Sequence, residues 1–187
     1  MRPLFTIHAG EYLVGLHVQK HLKLNAWIPA KDIGIDLLVT DRENLRTASL
    51  QVKYGKDFLP EMPAALREWL RCVSWFSLNR AKLKESRAQF WVFVLQGFKS
   101  DAPDFVVIPT VELQRRMAEI HGPDGDKLQS YLCSTENNQC WEIRGLGGDD
   151  RLQIAKGTYK NPARDFTGYL NENGWAAVAK QLNGGVA

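Results

Sequence analysis

The chain has 187 residues, 44% of them hydrophobic, with 24 basic against 21 acidic side chains and a formal charge of +3. That length buries one substantial core and is short for two domains; the mild positive balance admits a polyanionic partner without the basicity of a dedicated nucleic-acid module. No apolar run approaches the ~18 residues of a membrane span and the opening MRPLFTIHAGEYL has no signal-peptide core, so the expectation is a soluble cytoplasmic protein with no membrane partner.

Ala9 to Leu24 reads as a helix, with Val14, Val18 and Leu22 on one stripe. Glu11 lies on that stripe, three residues before Val14. An unpaired carboxylate there costs several kcal/mol, so Glu11 is expected to meet a cation, a metal or a donor. The plainer reading places it in the first turn, hydrated and favoured by the helix dipole; both stay open. His17 and His21 have the i,i+4 spacing of metal ligands, but no third ligand accompanies them and surface histidines are the simpler reading.

After a connection from Asn25 to Lys31, Gly34 opens an apolar run, Ile35 to Val39, interrupted by Asp36. A charged turn, Asp41-Arg42-Glu43-Asn44, leads into a second strand from Arg46 to Lys53. Side chains alternate along a strand, so Gln51 and Lys53 share a face, about 6.7 Å apart, and Val52 points away. An acid at the start of one strand facing an amide and a lysine at the end of its neighbour is a polar cluster with no packing role.

Tyr54 to Pro60 reads as a loop. Pro63 to Lys84 reads as a long helix with Leu66, Trp69, Leu70, Val73 and Phe76 inward and Arg67, Arg71 and Trp75 on another face. Arginines beside a tryptophan, with Lys56 just upstream and Arg80, Lys82, Lys84 and Arg87 beyond, suit a phosphate backbone; a solvated helix face is the alternative. Gln89 to Phe98 and Asp104 to Ile108 read as buried strands, and Val111 to His121 as a helix stopped by Gly122-Pro123. Leu128 to Cys133 and Gln139 to Arg144 suggest a hairpin on which Cys133 and Cys140 face each other. With Cys72 the cysteines number three and form no C-x-x-C pair, so reduced thiols are expected. Gly145-Leu146-Gly147-Gly148 lacks the lysine and hydroxyl of a phosphate loop and reads as a turn. Asn161 to Leu170 is irregular, and Trp175 to Leu182 closes the chain as a short helix. A single domain is expected, its core over about residues 9–110 with an extension over about 111–187.

If Asp36, Gln51, Lys53 and Glu11 converge, they suit magnesium, which takes oxygen ligands and leaves room for waters and phosphate. Gln51 offers a neutral oxygen, and losing an anionic ligand at ~4 Å costs roughly 4 kcal/mol at an effective dielectric near 20. Glu11 is the acid placed to compensate. Lys53 would then offset charge growing on a phosphate. The bland alternative is a surface hairpin whose charges are merely solvated.

G-I-D, a strand turn and Q-V-K, preceded by a helix opening G-E-Y-L-V-G, resemble the PD-(D/E)XK nuclease superfamily, closest to its Mrr-like, restriction-endonuclease-like branch, where the acid before the lysine is often glutamine. Ile35 stands where the family name has proline. The resemblance runs by motif from Gly10 to Lys53 and by element order to about Ile108. It implies an α/β fold with a central mixed sheet flanked by helices. It also implies a metal site of Asp36, Gln51 and Glu11 with Lys53 catalytic, Mg²⁺ as cofactor with Mn²⁺ as substitute, and DNA, foreign or branched, as substrate. A symmetric dimer is the simplest way to cut two strands. The rival expectation is an inactive module of that fold that binds nucleic acid or a protein; action on RNA or as a toxin is the third.

Overall fold

A computed structural model describes residues 4–29 and 34–183, with side chains from Ala9 onward. The end of the expected Asn25 to Lys31 connection lies outside the described residues. Helix α1 (Leu4–His17) runs into a single π-helical turn, Val18–Leu22, and the chain reverses at Lys23 in the left-handed conformation (φ 57°). Strands β1 (Asn25–Trp27), β2 (Leu37–Thr40) and β3 (Thr47–Asp57) follow as an antiparallel meander. Next come α2 (Ala64–Arg67), β4 (Leu70–Asn79), α3 (Arg80–Lys84), β5 (Phe90–Leu95), β6 (Asp104–Pro109) and α4 (Thr110–His121). The chain closes with β7 (Lys127–Thr135), β8 (Cys140–Glu142), α5 (Gly148–Ala155) and α6 (Glu172–Leu182).

Among the described residues eight strands form one branched, mostly antiparallel sheet. β3 is the branch point. It pairs with β2 over Thr47 to Leu50, runs parallel to β5 over Leu50 to Gly55, and pairs with β4 at Lys56 and Asp57. β5 continues to β6, and β4 to β7 and β8. Gly55 allows the branch: a Cβ there would sit 2.7 Å from the Phe76 ring and from Ser74 Cβ.

Three apolar clusters follow. Val14 of α1, Val18 of the π-helical turn, and Trp175 and Val178 of α6 cover one face of the first arm (β1, β2, β3, β5 and β6; the second is β4, β7 and β8), on Leu50, Val52, Val92 and Val107. On the other face Trp91, Phe93 and Ile108 meet α4 and the inner side of the second arm, Phe76, Leu78 and Leu132. Val73, Cys133 and Trp141, on the second arm's outer side, pack with Leu66 and Ile154. The α/β class with helices flanking a mixed sheet matches the expectation. α6 packs on the sheet so closely that a Cβ on Gly174 would lie 2.8 Å from the Val107 carbonyl oxygen.

The expected helix over Pro63 to Lys84 is wrong. Only Ala64–Arg67 and Arg80–Lys84 are helical, and the middle is β4. The apolar residues there fit both periods, but Leu70, Cys72, Ser74, Phe76 and Leu78 are all buried, a strand alternation, and the aromatic and β-branched content favours pairing with β7. The supposed loop after Tyr54 is also strand, since β3 runs to Asp57. β1 and α5 had not been foreseen. Cys133 stands opposite Trp141 and Cys140 opposite Ser134, so the two thiols do not face each other; all three cysteines are free and buried. No helix among the described residues is long and apolar enough to cross a membrane.

One charge lies at the heart of the second arm. Glu142 is fully buried, paired with Arg164, and its Oε1 accepts the Tyr131 and Arg144 backbone N–H groups at 3.3 and 3.2 Å. Burial pushes its pKa up to about 7 against the opposing pull of Arg164. Arg164→Met strands that carboxylate, and urea unfolding at pH 8 should show a loss of roughly 3–5 kcal/mol. With Arg164 gone the carboxyl holds its proton to still higher pH. The deficit should therefore narrow at pH 5, where the group is neutral. A deficit identical at both pH values would mean that an unpaired charge is not its source.

Candidate active site

The candidate site forms where the chain enters β2 beside the middle of β3. Gly34 turns with φ 85°, and the Asp36 backbone N–H donates to the Leu50 carbonyl at 2.9 Å, locking the residue before β2 in register. The side chain is held as firmly. Its Oδ2 accepts the Val52 backbone N–H at 2.7 Å and the side-chain N–H of Gln51. Asp36 and Gln51 are thus in direct contact, as expected. With its amide nitrogen on Asp36, Gln51 has its carbonyl end turned elsewhere: a Cβ on Gly34 would lie 4.0 Å from Gln51 Oε1. Gln51 is buried, whereas Lys53 is half-buried two residues along the same face. The Lys53 Nζ stands 5.4 Å from the centre of the buried Trp91 ring, whose indole N–H donates to Ser86 Oγ at 3.0 Å.

Glu11 comes from the other side of the same strand segment. Its neighbour Gly10 is the contact point of α1 with β3: a Cβ there would lie 3.0 Å from Tyr54 Cβ and 3.3 Å from Val52 Cγ1. The helix therefore crosses behind Val52 and Tyr54, opposite Gln51 and Lys53. Glu11, about 100° round the helix from Gly10, is half-buried at that crossing. Gly10, Val14 and Val18 form the buried stripe, so Glu11 lies beside it and not at its centre.

The basic surface is not what the sequence suggested. Arg67 is exposed on α2, but Arg71 lies on β4 and is held by Asp104 through its Nε and Nη2 at 3.2 Å each. Arg80 donates to the carbonyls of Asp124 and Gly125 at 2.7 and 2.8 Å. Neither belongs to a row of phosphate-facing arginines. Lys56 and Trp75 do come together as opposite partners across β3 and β4, both exposed. Arg87 lies nearer the site, on the loop whose carbonyl accepts from Ser49 Oγ at 3.5 Å, two residues before Gln51.

Trp27 was missed. It stands opposite Leu38, which stands opposite Ser49, so the indole shares the Gln51 face of the first arm and is 53% exposed. The lone aromatic of N-A-W-I-P, read as part of a connection, was the available signal. His17 and His21 stack at 4.8 Å, and His17 also packs on Phe105 and Trp175 at 4.8 and 5.1 Å, so the pair builds an aromatic seam. No group of three or more His, Cys, Asp or Glu side chains placed to hold a metal occurs among the described residues.

No family model, curated protein or solved structure matches the chain.

Burial, and then the charge of His21, hold the His17 pKa down to about 4. Unfolded, the ring takes its proton near the ordinary 6.5, so between these values the unfolded state binds more protons and stability falls as pH drops. The melting temperature should decline from pH 7 to pH 4.5 and decline less in His17→Phe. Parallel profiles would remove His17 as the source.

Proposed function

We propose that the chain is a metal-dependent DNA endonuclease of restriction-endonuclease-like fold that hydrolyses phosphodiester bonds. The observation that carries this is the junction of Asp36 with Gln51 across the β2–β3 pair, with Lys53 two residues along the same face. Residues far apart in type and separated in sequence by a turn meet at one point of the sheet, in the order of the D…QxK motif that they resemble.

The donor set fits a hard divalent cation, whose preferred ligands are carboxylate and carbonyl oxygens. Asp36 offers a carboxylate whose position is fixed by two N–H donors, and Gln51 would present its side-chain carbonyl to the same ion once its amide turns over; Glu11, which reaches β3 from the opposite face, stands outside this pair. Mg²⁺, with Mn²⁺ as its substitute, supplies when bound the lowered pKa of an attacking water and the polarisation of phosphorus. Hydrolysis forms one bond from water oxygen to phosphorus and breaks one ester P–O bond, giving a phosphate monoester and an alcohol that takes up a proton. Lys53 carries the positive charge that offsets the negative charge growing on the phosphoryl oxygens. Trp91 forms the wall that it stands over. Trp27 and Arg87 flank the entrance for a polyanionic strand. Two copies of the chain related by a two-fold axis would bring one such site to each strand of a duplex.

Gln51 keeps a second reading in play. A neutral amide donating to Asp36 also stabilises the carboxylate with no metal at all, as in an inactive module of the same fold.

Plasmid, linear duplex and branched DNA incubated with the protein in Mg²⁺ or Mn²⁺ separate the two. Cleavage is expected, with Asp36→Ala and Lys53→Ala each slower by roughly 10²-fold or more. Gln51→Glu should lower the Mg²⁺ concentration giving half-maximal cleavage, because it adds an anionic ligand. Absence of cleavage on every substrate, in both metals and in Gln51→Glu as well, would select the inactive module.

A further inference from the structure

The outer face of the second arm carries a feature that the D…QxK site does not use. Lys56, Trp75 and Tyr131 stand opposite one another in a row across β3, β4 and β7. Phe58 rises between the two larger rings, edge-on to both: its centroid is 6.5 Å from Trp75 and 6.0 Å from Tyr131, with interplanar angles of 85° and 74°. Lys56 Nζ lies 5.4 Å from the Phe58 ring, and Trp75 is 37% exposed. Leu66 of α2 and Ile154 of α5 cover this face around Val73 and Cys133, whereas Lys56 and Trp75 are exposed.

Beside the rings is a cleft of about 400 Å³ walled by Phe58, Met62, Tyr131, Arg144 and Arg151, with Glu61 as its acid. The size is that of a pocket for a small ligand. Arg144 is steadied by Gln129, to which its Nη1 donates at 2.6 Å. Arg151 is different: its Nε is buried and has no acceptor among the described residues. Arg151 also lines the cleft, and an oxyanion there would pair with both arginines. Two arginines against one glutamate leave the cleft positive.

We propose that this face is a docking platform for single-stranded nucleic acid. Unpaired bases lie on Trp75, and a backbone phosphate enters the cleft between Arg144 and Arg151, with Tyr131 in its wall. Exposed aromatic faces bind bases of any identity, and adjacent cations track the backbone. A duplex keeps its bases stacked inside and cannot offer them to a sheet surface, and an acidic peptide would use the arginines but not the rings. The inference rests on the nucleic-acid half of the proposed function and not on its chemistry.

Fluorescence anisotropy in EDTA tests it with three labelled probes of equal length: a thymidine strand, an abasic deoxyribose-phosphate strand and a duplex. The full chain should bind the thymidine strand about tenfold tighter than the abasic strand, with the duplex reporting binding at the D…QxK site. Trp75→Ala should abolish that preference while leaving abasic binding unchanged, and Trp75→Phe should restore part of it. Arg151→Gln should weaken both single strands and flatten the salt dependence. Equal binding of thymidine and abasic strands, or a preference unmoved by Trp75→Ala, would overturn the platform. Cleavage of duplex DNA by a protein that shows no thymidine preference would sink the platform and spare the endonuclease. A Trp75-dependent preference in a protein that cleaves nothing would do the reverse.

Discussion

β3 has to satisfy three neighbours with one backbone. Its first residues pair antiparallel with β2, its middle runs parallel to β5, and its end turns to meet β4. Each pairing fixes which side chains face which layer, because a shift of one residue would exchange the two faces along its whole length. Leu50 and Val52 are committed to the layer beneath α1 and α6, which leaves Gln51 and Lys53 no choice of side. The placement of the polar pair follows from the packing of its apolar neighbours. Gly55 is the concession the strand makes at the branch, where Phe76 and Ser74 occupy the space of a side chain.

Within that frame Asp36 has both a structural and a chemical part. Its backbone N–H continues the ladder to Leu50, and its carboxylate reaches past the ladder to the N–H of Val52 and the amide of Gln51. A carboxylate held from two directions on a rigid sheet is well positioned for work that demands fixed geometry. Elsewhere the chain settles its charges by pairing. Arg71 goes to Asp104, Arg116 to Glu112 and Arg164 to Glu142. Glu112 is held down to about 2, chiefly by Arg115, with Arg116 adding to it. The cations left on surfaces are therefore the informative ones, and Lys56, Arg87, Arg144 and Arg151 sit beside the first arm's polar cluster or the second arm's aromatic face.

The chain as far as Gly122 was legible where one period ruled. Alternation gave β3, continuous apolar runs gave β5 and β6, and Gly122 marked the end of α4. Gln51 and Lys53 could be found on one face because a strand puts i and i+2 on the same side, and the charged turn after β2 returns the chain so that Asp36 meets Gln51. The reading failed between Pro63 and Lys84 because Leu66, Leu70 and Val73 satisfy a helix as well as a strand, and the deciding partner, β7, comes some fifty residues later. That error carried over to the arginines: a helix would have gathered Arg67 and Arg71, whereas a strand sends Arg71 to Asp104. Glu11 was misplaced more subtly. The helical stripe was right, but its centre passes through Gly10, a residue with no side chain to announce a contact. The platform was half visible, since Lys56 and Trp75 were singled out, but Tyr131 and the cleft depend on pairings that no local pattern encodes.

The branched topology also has a cost during synthesis. β3 leaves the ribosome as an eleven-residue strand long before its flanks exist: β4 ends at Asn79, β5 at Leu95, and the outer neighbour of β4 is complete only at Thr135. Chains emerge from the amino end, and pairings distant in sequence form slowly. Until then the strand has an apolar face and an open hydrogen-bonding edge on offer to any neighbouring chain. The nascent polypeptide thus passes through a half-sheet whose apolar face and edge stay open until the later strands arrive.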